Sequence, residues 1–238
     1  MDQGRQTGNG TEAYKMTGNT ACVSHYWNRP ASSSPSIPSS ILHTHILVGL
    51  SPNKMIMAQT IDDPHPVLER NHHHSFMEYA LEQAKRSPTS PPKFCVGAVL
   101  VDPQRNRILS TGYSMELPSP AGDEGNTHAE QCCFIKVAQA HNLPLAHAED
   151  YIQDVLPADA VLYTTVEPCN ERLSGNTTCI ERILKLKNVI RTVYVGIREP
   201  STSVRGNDGL TRLQEEGIRV RVTGDMKDCI LRTLTTER

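Results

Sequence analysis

Four side chains in this chain are suited to holding a metal or moving a proton: His128, Glu130, Cys169 and Cys179. The stretch PCNERLSGNTTC, residues 168–179, separates the two thiols by nine residues. Such a pair could be unrelated core residues, a redox couple or ligands of one metal. Cys179 stands in Thr178-Cys-Ile-Glu181 and His128 in Thr127-His-Ala-Glu130, and both segments follow the S/T-x-x-E rule of a helix capping box. Each donor is therefore expected at the first position of a helix, at the positive end of its dipole, where a thiolate is favoured. Cys169 follows Glu167-Pro168 at the end of an expected buried strand, where proline is compatible with a new helical turn. One imidazole and two thiolates on three element ends suit a zinc site with three protein ligands and an open fourth position. Glu130 has two readings on this pattern, as the cap of its helix or as the group beside the metal. Its company, a Pro-Cys…Cys beginning 40 positions after His128, favours the second. Cys132 lies one helical turn beyond His128 and could in principle reach the metal, but a small buried thiol is the favoured reading.

The elements that must position these residues begin at about residue 70. SFMEYALEQAKRS has Phe76, Ala80, Leu81 and Ala84 at helical spacing and is stopped by Pro88. FCVGAVLVD and NRILSTGYS read as strands joined by a tight PQRN turn, THAEQCCFIKVAQAHN as a helix and DAVLYTTVEP as a buried strand. TTCIERILKLKN is a helix, VIRTVYVGI a strand, GLTRLQEEG a helix, IRVRV a strand, and MKDCILRTL a closing helix. This order predicts an α/β three-layer αβα sandwich with a mixed central sheet of about five strands. Residues 1–40, rich in Gly, Ser, Thr, Asn and Pro, read as a flexible low-complexity tail. Residues 41–70 read as an extension, with two β-prone runs about Ser51-Pro-Asn-Lys54 suggesting a hairpin, and 71–238 as the main domain. His72, His73 and His74 read as a solvated helix start, and Cys95, Cys133 and Cys229 as core.

Composition narrows the function classes. Hydrophobic residues are 37% of the 238 and charged residues 21%, and the formal net charge is −2. A dedicated nucleic-acid binder usually has a basic excess, so that class is disfavoured. No apolar run approaches the roughly 18 residues of a membrane span. Seven cysteines without a secretory or transit pattern point to a reducing compartment, hence a cytoplasmic protein with the nucleus also open to it. The wide gap between Cys169 and Cys179 must bulge out as NERLSGNTT. Beside a metal such a loop reads as a recognition loop, with Arg172 offering a fork of donors and Ser174, Asn176 and Thr177 neutral ones; a solvated turn is the alternative.

A His-x-Glu at a helix start followed by Pro-Cys and a further Cys resembles the zinc-dependent nucleobase deaminases. CVGAVLVD (95–102), HAEQCC (128–133), TTVEPCNERLSGNTTCIERI (164–183) and EPSTSVRGNDGLTRLQEEGIRV (199–220) are similar, more narrowly, to the riboflavin-biosynthesis deaminases of the fungal monofunctional type. The resemblance implies a cytidine-deaminase-like fold and one Zn²⁺ per chain on His128, Cys169 and Cys179. The metal would lower the pKa of its water to roughly 7. It implies Glu130 as the residue that takes the water's proton and delivers protons to the ring nitrogen and the departing amino group. It also implies a stand-alone enzyme, a homodimer, acting on 2,5-diamino-6-ribitylamino-4(3H)-pyrimidinone 5′-phosphate. Arg172, Ser174, Asn176 and Thr177 would then meet the substrate, with Arg198 and Arg205 as further candidates for its phosphate. Two departures stand out. Bacterial relatives usually carry Asn-Pro where Phe94-Cys95 stands, and Asp-Pro-Asn-Pro where Glu199-Pro200-Ser201-Thr202 stands. Other deaminases of the superfamily, acting on tRNA adenosine, on cytidine or dCMP, or on guanine, remain open at this point. So does a catalytically inactive zinc scaffold.

Overall fold

A computed structural model describes residues 64–90, 93–118, 126–172, 174–199 and 208–234. The expected tail at 1–40 and the hairpin within 41–61 lie outside the described residues. The described chain starts with α1 (His73–Ala84), followed by the strands β1 (Gly97–Asp102) and β2 (Arg107–Tyr113). Then come α2 (Ala129–Ala140), a short 3₁₀ turn (Ala148–Asp150), β3 (Ala160–Val166), α3 (Cys179–Lys185) and β4 (Ile190–Ile197). It closes with α4 (Gly209–Glu215), β5 (Arg219–Val222) and α5 (Lys227–Leu234). The strands form one sheet in the order β2-β1-β3-β4-β5. β1 runs antiparallel to β2 and β3, whereas β3, β4 and β5 are parallel. The mixed five-stranded sheet is thus the expected one. The strands carry Val, Ile, Leu and Tyr on both faces, as strands covered by helices on both sides must.

Two apolar layers flank the sheet. Ala98, Leu100, Leu162, Val193 and Val195 pack under α2, α3 and α4 together with Phe134, Ile180, Ile183 and Leu213. Val99, Val101, Tyr163 and Ile197 pack on the other face against Phe76, Met77 and Ala80 of α1 and Ile230 of α5. Successive residues of a strand alternate faces, so β3 sends Leu162 and Thr164 toward α2, and Tyr163 toward α1. Gly112 on β2 lets the start of α2 settle against the sheet, since a Cβ there would lie 2.0 Å from the Ala129 carbonyl oxygen.

Two features depart from the sequence reading. The 3₁₀ turn at Ala148–Asp150 and the buried Ile152 and Leu156 after it were not foreseen, because the segment has neither helical nor strand periodicity. The histidines do open a helix, but His73 is not simply solvated. Its ring stacks on Tyr194 with centroids 4.2 Å apart, and its two nitrogens meet the Tyr163 and Tyr194 hydroxyls at 2.8 and 2.9 Å. Cys95 and Cys133 are buried as expected, and Cys229 packs half-buried against the α1 layer.

Candidate metal centre

Three element ends converge beside the C-terminal edge of β3. β3 ends at Val166, and the chain turns through Glu167 and Pro168 to Cys169. Glu167 is fixed there by donating its backbone N–H to the Ile197 carbonyl and accepting the Glu199 N–H on its carboxylate. Cys179 is the first residue of α3, with Thr178 as its cap. The Thr178 hydroxyl accepts the Glu181 N–H at 3.2 Å, and the Glu181 carboxylate accepts the Thr178 N–H at 2.9 Å. That reciprocal pair satisfies two of the helix's open donors and sets where α3 begins. The nine-residue excursion between the cysteines closes on itself, with the Ile180 N–H donating to the Cys169 carbonyl at 3.1 Å.

His128 reaches the same point from α2, but not through the expected cap. α2 starts at Ala129, so His128 is the N-cap, and its backbone N–H donates to the Gln131 side chain at 3.4 Å. Thr127 is held elsewhere. Its hydroxyl donates to the Leu117 carbonyl at 2.8 Å and its own carbonyl accepts the Met115 N–H at 2.8 Å. The capping-box role expected for Thr127 and Glu130 is therefore corrected: tethering of Thr127 to the exit of β2 moves the cap one residue on, and Glu130 is free of capping.

Nδ1 of His128 lies 3.4 Å from Cys169 Sγ and 3.3 Å from Cys179 Sγ. One donor atom from each of the three residues falls within 4.8 Å of the others. Zinc–nitrogen and zinc–sulfur bonds of about 2.0 and 2.3 Å imply a tetrahedral N···S edge of about 3.5 Å, close to what these residues already show. An imidazole and two thiols so spaced fit a zinc ion. Between the thiols the proton is divided unevenly. The hydrogen bond from Cys179 pulls Cys169 down to about 4, with His128 helping against burial. The same bond, together with burial, pushes Cys179 up. Cys132 is fully buried and outside this group, its thiol directed at the Tyr113 carbonyl, so the described residues offer three donors.

Glu130 is 2% exposed, and its carboxylate sits between two groups. Oε1 accepts from the Thr164 hydroxyl at 3.0 Å and Oε2 is 3.3 Å from Cys179 Sγ. Burial is the largest influence on it and raises its pKa above the ordinary carboxylate value, while His128 opposes the rise. Thr164 was missed by sequence reasoning, although a threonine on the inward face of an apolar strand is the signal that would have found it.

Residues 70–197 match the sequence family described as the cytidine and deoxycytidylate deaminase zinc-binding region. The chain belongs to this family. Within it the chain is Rib2-like. Over 154 residues, 65% of its length, it is 36% identical to the diaminohydroxyphosphoribosylamino-pyrimidine deaminase of Schizosaccharomyces pombe, and it spans about a third (33%) of that relative. A crystal structure of the Aspergillus oryzae Rib2 deaminase, a C-terminal deletion mutant, superimposes with a TM-score of 0.60 at 36% identity, covering 68% of this chain and 90% of that one. The same A. oryzae protein in complex with DARIPP gives a TM-score of 0.59 at 36% identity with the same coverage. The zinc-binding region of this deaminase-family chain thus contains the triad His128, Cys169 and Cys179.

The residues expected at the substrate are placed less uniformly. Ser174 is exposed, Asn176 and Thr177 are half-buried, and the Ser174 hydroxyl accepts the Asn176 N–H within the loop at 3.4 Å. Arg172, expected to face a phosphate, instead aims two guanidinium nitrogens at backbone: Nη2 donates to the Asn126 carbonyl at 2.7 Å and Nη1 to the Thr177 carbonyl at 3.3 Å. Asn170 donates to Asp208 and accepts from Arg212, which joins the loop to the start of α4. Arg198 is exposed just past β4 with its charge close to Glu167. Arg205 lies outside the described residues. Phe94 packs into the α1 layer and Cys95 is buried, its N–H bonded to the Leu234 carbonyl.

Proposed function

We propose that this protein hydrolytically deaminates 2,5-diamino-6-ribitylamino-4(3H)-pyrimidinone 5′-phosphate, giving 5-amino-6-ribitylaminouracil 5′-phosphate and ammonia. The observation that carries the chemistry is the buried Glu130 carboxyl, released from capping, 3.3 Å from one zinc ligand and held by Thr164. The substrate class is supported by the likeness to the A. oryzae Rib2 deaminase, whose structure was determined with DARIPP. Bound zinc supplies a Lewis acid that makes water nucleophilic near neutral pH. The reaction forms a C–O bond at the ring carbon between two ring nitrogens and breaks the exocyclic C–N bond. Protons must therefore pass from the attacking water to the ring nitrogen and to the leaving amine. Glu130 is our assignment for both transfers. A carboxyl lifted toward neutrality by burial both accepts and returns a proton more readily than one in water. We assign Ser174, Asn176 and Thr177 to contacts with the ribityl phosphate, with Arg198 and Arg205 supplying positive charge near it.

We place the deaminase domain at 71–238 and read the enzyme as a cytoplasmic homodimer. No helix among the described residues is long and apolar enough to cross a membrane. Light scattering of the purified protein checks the dimer. Ammonia release from a panel of the ribitylamino pyrimidine with and without its phosphate, cytidine, dCMP and guanine tests the activity. Release from the phosphorylated riboflavin precursor alone is the expected result. Equal release from cytidine or dCMP would overturn it.

A further inference from the structure

The guanidinium of Arg172 bonds two carbonyls that lie far apart in sequence but occupy equivalent places in the site. Asn126 is two residues before His128, and Thr177 is two residues before Cys179. Each ligand segment is otherwise pinned within its own neighbourhood. Thr127 is tied to Leu117 and Met115, and Cys179 to its cap and to the Cys169 turn. We infer that Arg172 is a positioning residue for the metal centre, fastening the backbone that enters His128 to the backbone that enters Cys179.

The chemistry of the side chain suits this task. A guanidinium is a flat fork whose two terminal nitrogens point at fixed divergent angles, so one side chain can fix the separation of two carbonyls. Its constant positive charge also lies near a site that gathers two sulfur donors and the Glu130 carboxylate, and it acts favourably on Cys179. The turn after Arg172 delivers it there. The Gly175 N–H donates to the Arg172 carbonyl at 3.0 Å, and Gly175 takes a φ of +74° that a side chain would resist. The wide Cys169–Cys179 spacing thereby gains a structural purpose: the excursion carries its own brace across to α2. The inference rests on the zinc-site reading and is independent of which pyrimidine is bound.

The test uses the full-length zinc protein and compares Arg172→Lys and Arg172→Met with wild type. Zinc affinity is read by competition with a chromophoric chelator in the absence of substrate, and folding by the melting curve. Removing a partner that orients metal ligands commonly costs about 10–100-fold in metal affinity, and a loss in that range is expected for both variants. Lysine keeps the charge but not the fork, so it should not restore affinity. With cobalt in place of zinc, the variants should also show an altered ligand-field spectrum. Wild-type zinc affinity in the lysine variant would show that charge alone suffices and would overturn the brace. Unchanged zinc affinity in both, with weakened binding of the phosphorylated pyrimidine only, would make Arg172 a phosphate anchor and overturn it as well. If the methionine variant does not fold, the lysine variant decides alone. Wild-type protein that binds zinc but releases no ammonia would defeat the proposed activity, while the chelator competition would still judge the brace.

Discussion

At the start of α3, Thr178 and Glu181 exchange hydrogen bonds and cap the helix. At the start of α2, Thr127 and Glu130 have the same spacing, yet they face different parts of the molecule. The difference is a shift of one residue in where the helix begins. Thr178 is the cap of α3, so Glu181 falls at the third helical position and folds back on the cap. Thr127 is bonded to Leu117 and Met115, so His128 becomes the cap of α2 and Glu130 falls at the second position. A shift of one residue turns a helical side chain by about 100°, given 3.6 residues per turn. That rotation takes the Glu130 carboxylate away from the Thr127 N–H and toward Thr164 on β3 and Cys179. An identical local pattern thus yields a cap in one place and a buried carboxyl beside the cysteines in the other.

This comparison can be broken by substitution, and the largest effect is expected at the metal. Cys179→Ser should reduce zinc from one per chain to a trace and abolish turnover, because the alkoxide of serine is a poor replacement for a thiolate. Elemental analysis and an activity assay check it, and full zinc retention would refute the ligand set. Glu130→Gln comes next. It should keep its zinc and hold or raise its melting temperature, since an uncharged amide replaces a buried carboxyl. Its kcat should fall by roughly 10²–10⁴-fold, the usual contribution of a general acid–base group. A variant that kept more than about a tenth of wild-type turnover would return Glu130 to the status of Glu181.

The capping pair should behave in the opposite way. Thr178→Ala removes a cap worth about 1 kcal/mol, which lowers the melting temperature by about 2–4 °C in a chain of this size. Zinc content and kcat should change far less than in Glu130→Gln, and calorimetry beside steady-state kinetics separates the two outcomes.

Much of the fold was legible because its elements are strongly periodic. The apolar spacing of α1, the β-branched runs of β1, β3 and β4, and the Gly-Leu…Gly-Ile-x-Val segment of α4 and β5 each carry their own signal. The 148–156 segment was not legible. Its buried Ala148, Ile152 and Leu156 are recruited by a neighbouring core rather than by any local period. The His73 stack escaped for a similar reason, since Tyr163 and Tyr194 become neighbours only through the β3–β4 register.

The sequence by itself singled out His128, Cys169 and Cys179 as candidates, because zinc is bound by few side-chain types, and Glu130 by its place two residues past His128. Their types and spacing also imposed a long excursion between the cysteines. What only the tertiary structure decided is the job of each neighbour. Thr164 supports Glu130 because strand alternation puts it on the α2 face, and Arg172 reaches Asn126 because the excursion folds back across the site. Both contacts join residues more than 30 positions apart, and a hydrogen bond over that separation leaves no periodic trace in the chain. Local chemistry could name the ligands. Only the packing of sheet against helix could decide which carboxylate would lie beside them.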